Sequence, residues 1–111
     1  MGDAVVEAEQ RRYPRAVPPR GLRVAWQSGT RRTVSYLGSI ALGGLFVVTQ
    51  QPVPIRSMVK VLLDLPLGEF RARGVVRRIT PSRGMGIEFI AMTQEDRARL
   101  NKALQPMLAL Q

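Results

Sequence analysis

The sequence predicts an all-β domain: a six-stranded antiparallel β-barrel followed by one C-terminal α-helix. Two observations predict it. Six short segments alternate apolar and polar residues between residues 22 and 90, at regular spacing and separated by Gly, Pro and Ser turn signals. The texture then changes, with Leu100, Leu104 and Leu108 recurring at helical spacing. A chain of 111 residues forms one such core but not two, and short strands in that number close on themselves so that no edge is left open.

The elements follow in order. Residues 1–10 show no sustained periodicity and are expected to form a mobile arm, with the folded domain spanning 11–108. RRYPRAVPPRG, with three prolines, is an extended, non-helical lead-in. Leu22, Val24 and Trp26 alternate with Arg23, Ala25 and Gln27 in the first strand, and Ser28-Gly29 is read as a hairpin turn. The second strand covers Thr33 to Leu37. Gly43-Gly44 marks a bend before the third, Leu45 to Thr49, and the proline-bearing loop QQPVPIR leads to the fourth, Met58 to Leu65. Pro66 and Gly68 turn the chain into a long fifth strand, Phe70 to Ile79. Pro81-Ser82-Arg83-Gly84 turns it again into the sixth, Ile87 to Ile90. Thr93 followed by Asp96 resembles a capping box, and Pro106 is expected to end or kink the helix.

Composition narrows the function classes. Cysteine and histidine are both absent, which removes disulfides, thiolate and imidazole metal ligands and the usual general base, and suits a reducing cytoplasm. A non-enzymatic protein without a metal or cofactor is expected. No run approaches the ~20 apolar residues of a membrane span. The net charge is +9, and all but Lys60 and Lys102 of the 17 basic residues are arginine. Codon bias is one source of such a skew. Chemistry is the other: the planar guanidinium fork matches phosphate oxygens and the guanine Hoogsteen edge. Arg71, Arg73, Arg77 and Arg78 read most simply as solvent-facing strand positions, and Trp26 and Phe89 as core.

Three segments together resemble the PilZ domain family. Arg11, Arg12 and Arg15 match its RRxxR motif ahead of the first strand. SIALGGLFV, residues 39–47, resembles its D/N-x-S-x-x-G segment, and GMGIEFIAMTQEDRARLNKAL, residues 84–104, its last strand and helix. The resemblance implies a split β-barrel that binds the bacterial messenger cyclic di-GMP and relays it to an effector protein controlling motility, surface attachment or biofilm. It further implies ligand contacts from Arg11, Arg12, Arg15, Ser39, Ala41 and Gly44. The second motif departs from the family pattern, with Ser39 at the acidic or amide position and Ala41 at the serine position. Losing one charged and one neutral hydrogen bond costs very roughly 3 kcal/mol, about 100-fold in affinity. Weakened messenger binding is therefore expected. The alternatives are a PilZ-fold interaction module without the messenger, for example in type IV pilus assembly, and a nucleic-acid-binding barrel, for which no obvious row of exposed aromatics speaks.

Overall fold

A computed structural model describes residues 13–109. Six strands, β1 (Arg23–Ser28), β2 (Arg31–Ala41), β3 (Gly44–Val48), β4 (Met58–Leu65), β5 (Gly68–Thr80) and β6 (Gly84–Ala91), precede one helix, α1 (Gln94–Ala109). All neighbours pair antiparallel, and the sheet closes in the order β1-β2-β3-β6-β5-β4. This is the six-stranded barrel with a C-terminal helix that the periodicity predicts.

Alternation fills the interior. Val24 and Trp26 from β1, Val59, Val61 and Leu63 from β4, and Phe70, Ala72 and Val76 from β5 all point inward and are buried. Each fully buried aliphatic or aromatic side chain contributes about 1.5–3 kcal/mol. Trp26 satisfies its indole N–H by donating to Ser35 Oγ at 3.0 Å, so a large ring sits in the core without an orphaned donor. Phe89, read as core, is half-buried instead. It meets Phe70 edge-on at 5.4 Å and turns its other side to a surface groove.

The helix closes one end of the barrel. Thr93 Oγ1 accepts the Asp96 N–H at 3.0 Å and donates to Asp96 Oδ2 at 2.7 Å, while Asp96 Oδ1 accepts the backbone N–H of Arg71. The Thr93 hydroxyl thus caps α1, and the Asp96 carboxylate it donates to fastens the cap to β5, where β5 runs on past the last residue of β6. The buried stripe is Leu100, Ala103, Leu104 and Met107, with Leu108 only partly buried. Pro106 neither ends nor visibly interrupts the helix, which continues to Ala109. Its missing N–H frees the carbonyl of Lys102 on the exposed face, where water reaches it, while Leu104 and Met107 hold the turn from the core side.

Strand bounds differ from expectation mainly at β2, which spans eleven residues rather than five. Its hairpin turn to β1 is Gly29-Thr30, one residue later than expected. A bulge at Gly38, between the pairs Leu37↔Val47 and Ser39↔Phe46, shifts the alternation, so Leu37 and Ile40 both face the core.

Candidate ligand groove

The site is built from the lead-in upward. β2 outruns β1: the last residue pair between them is Arg23↔Tyr36, after which the Leu37 N–H donates to the Leu22 carbonyl. The far end of β2 then lacks a partner on that side. Ala16 supplies it, exchanging two backbone hydrogen bonds with Ile40 at 2.7 and 3.0 Å and burying its methyl completely in the core. This bridge fixes the residues on either side of it. Arg15 Nη1 donates to Ser39 Oγ at 3.1 Å, and the Tyr13 ring packs against Gly43. A Cβ at position 43 would stand 2.8 Å from the Tyr13 ring. The guanidinium of Arg97, one turn into α1, lies 5.9 Å from the centre of that ring, within reach of a cation–π contact.

Further arginines come from a second bulge. In β5, Val76 pairs with Ile87 and Arg78 with Gly86, which leaves Arg77 as the extra residue. Consecutive residues of a regular strand point to opposite faces; here both arginines stay outside. Arg77 pairs with Glu88 at 3.2 Å, an exposed contact worth at most about 1 kcal/mol. Arg78 stands over side-chain-free Gly86 and close enough to Arg15 to repel it. Partial burial, and then this repulsion, hold the Arg15 guanidinium below its ordinary pKa. Two cations held together at the cost of mutual repulsion favour an anion between them.

These groups line one groove of about 780 Å³, within the ordinary size range for a small-molecule site. Its walls carry Arg15, Arg77, Arg78 and Arg97 with Tyr13 and Phe89, and Glu88 is the one carboxylate among the described lining residues. Such a wall offers planar cations for phosphate or guanine edges and rings for base stacking.

Of the residues singled out in the sequence, Arg15, Ala41 and Gly44 line this groove, and Ser39 borders it through its bond to Arg15. Arg11 and Arg12 lie outside the described residues. Ala41 is 4% exposed on the outer face and presents no polar atom. Gly44 has a structural task as well, because a Cβ there would collide with the carbonyl of Ile87 on β6. Tyr13, Arg77, Arg78, Phe89 and Arg97 are groove residues that sequence reasoning did not assign to the site. The capping signal at Thr93 could have placed Arg97 one turn into the helix, but nothing in the sequence says where that turn docks.

Residues 9–105, from the arginine lead-in through the barrel and most of the helix, match the family model of the PilZ domain. The chain belongs to the PilZ domain family. No curated protein matches it. Among solved structures, it resembles the Bacillus subtilis inhibitor of motility MotI/DgrA, with TM-score 0.69 and 26% identity over 89% of this chain and 52% of that one. The K. pneumonia MrkH complex with cyclic di-GMP aligns at TM-score 0.70 and 17% identity, over 89% and 52% of the two chains. The Escherichia coli YcgR PilZ domain, solved with cyclic di-GMP, aligns at 0.64 and 12% over 91% of each. The chain therefore spans about half the length of the MotI and MrkH chains. PilZ domains are ligand-binding receptor or effector domains rather than enzymes, and this one has the family fold. None of its described helices is long and apolar enough to cross a membrane.

Proposed function

We propose that this PilZ domain is a cyclic di-GMP receptor whose second motif is weakened and whose grip rests mainly on arginine. The observation that supports this reading is the convergence of Arg15, Arg78 and Arg97 around Tyr13 in one groove beside Ser39, Ala41 and Gly44. Arg15 meets a phosphate or the O6/N7 edge of a guanine, and Arg11 and Arg12 add to it from the preceding residues. Ser39 accepts a single bond from the other guanine edge, and Ala41 none. Gly44 leaves room for the ligand along β3. Residues 11–108 act as one unit in the bacterial cytoplasm, and the rearranged arginine surface of the bound form is what a downstream protein reads.

A ligand-independent interaction module is the competing reading. Its supporting observation is that Ser39 Oγ is engaged by Arg15 and Ala41 offers no polar group. Calorimetric titration with cyclic di-GMP decides between them. The expected dissociation constant is on the order of 100 μM, weakened at least tenfold by Arg15→Ala. Absence of heat from the wild type at ligand concentrations near ~1 mM would leave the module reading in its place.

A further inference from the structure

Meeting the ligand groove only at Ala91 and Met92, a second groove lies on the outer faces of β2, β1, β4 and β5, which carry side chains in two cross-strand rows. The first row is basic. Gln27 pairs with Arg32 on one side and Lys60 on the other, and Lys60 pairs directly with Arg73. Directly opposed like charges repel, and all three cations are exposed, with no ion pair among the described residues. The second row, two residues further along each strand, is apolar over β2, β1 and β4 and ends on β5 at Arg71, which pairs with Leu62 and forms an ion pair with Glu69. Ala25 pairs with Val34 and with Leu62, and Val34 is 58% exposed. Beyond it lie the opposed acids Asp64 and Glu69. The start of α1 and the turn before it, Met92 to Asp96, wall one side, which makes the face a groove of about 1130 Å³. Asp96 does not neutralise the basic row, being taken up by Thr93, the Arg71 N–H and Arg99.

We infer that this face docks an amphipathic acidic helix of a partner protein. The basic row crosses three strand spacings, about 14 Å, the length of roughly nine helical residues. Carboxylates at i and i+4 along one edge of such a helix meet Arg32, Lys60 and Arg73. Its adjacent apolar positions lie on Val34, Ala25 and Leu62. Asp64 repels the acidic edge from the other side, while Glu69 is taken up by Arg71, so the charge pattern also sets the direction in which the helix can lie. Nucleic acid fits less well, because Val34, Ala25 and Leu62 beside the cations offer neither a stacking ring nor a hydrogen bond, and the exposed Tyr36 beyond them carries the Arg23 guanidinium over its ring. A second copy of this chain, with its +9 charge, is repelled.

The test uses a fluorescent peptide of about 14 residues, with Glu along one helical edge and Leu on the adjacent face, followed by anisotropy at physiological salt. Binding is expected at least about tenfold tighter than for a peptide of identical composition in scrambled order. The double variant Lys60→Glu/Arg73→Glu should abolish that preference, and the milder Lys60→Gln/Arg73→Gln should reduce it. Cyclic di-GMP titrations of both variants should stay unchanged, which separates this face from the ligand groove. Equal binding of the scrambled peptide would reduce the face to a generic cationic surface. Tighter binding of an oligothymidylate of matching length would assign it to nucleic acid. No peptide binding at about 1 mM, or binding indifferent to charge reversal, would overturn the inference.

Discussion

Replacing Arg15 by methionine separates a ligand-binding role from a structural one. In the folded chain the Arg15 guanidinium is partly desolvated and repelled by Arg78, and both effects oppose its charge. Its hydrogen bond to Ser39 is exposed and between a cation and a neutral hydroxyl. That bond is worth about 0.5–1 kcal/mol after allowance for solvent. Methionine loses the bond, relieves the burial cost and the repulsion, and keeps the hydrocarbon stem packed. These contributions oppose one another. Net stability should change by no more than about 1 kcal/mol, or roughly 4–8 °C in Tm for a domain of this size.

The ligand tells the opposite story. An arginine that meets a phosphate or a guanine edge contributes about 1.5–3 kcal/mol, so its loss weakens binding about 10- to 150-fold. Thermal denaturation and calorimetry on the same preparation check both halves. A fall of more than about 8 °C in Tm would make Arg15 a structural residue. Messenger affinity within threefold of wild type would remove it from the site.

Three further substitutions probe neighbouring positions. Ser39→Asp supplies a carboxylate beside Arg15 and should tighten cyclic di-GMP binding about tenfold by calorimetry; unchanged affinity would mean position 39 does not reach the ligand. Arg97→Gln keeps the helix but removes the cation over Tyr13, and should weaken binding about tenfold and flatten its salt dependence. Gly44→Ala forces a methyl onto the Ile87 carbonyl, and should cost about 1–3 kcal/mol in urea denaturation.

How much could be read from the sequence varied with the range of the interaction. β4 was legible to the residue, because Val59, Val61, Leu63 and Leu65 alternate without interruption up to Pro66. β2 was not, because the bulge at Gly38 breaks the period that identifies a strand. Arg77 and Arg78 were legible as exposed, yet their shared outward direction comes from a bulge that no alternation reports. The groove itself depends on contacts between residues far apart in sequence. Tyr13 rests on Gly43, Ala16 pairs with Ile40, and Arg97 meets Tyr13 across nearly the whole chain. Local propensity carries no information about such pairs. The arginine and glycine motifs were visible, but their meeting required the uncovered end of β2.

The geometry also explains how the second motif can lose its polar residues while the barrel stays intact. Its three positions answer to different constraints. Gly44 is held by the closure of the barrel, since any side chain there meets the backbone of β6. Ser39 is half-buried at the border of the groove, and Ala41, although buried, lines the groove and lies outside the cluster that fills the barrel. Having Ser39 and Ala41 in place of an acid and a hydroxyl therefore alters what the groove can bind without changing the barrel interior. The lead-in divides in the same way. Ala16 is committed to the core and to β2, whereas its neighbour Arg15 turns outward to Ser39 and into the groove it shares with Arg78. The backbone bridge thus serves the fold and the side chain beside it serves the groove. A guanidinium set beside Arg78, Arg97 and the Tyr13 ring suits an anionic ligand with an aromatic base.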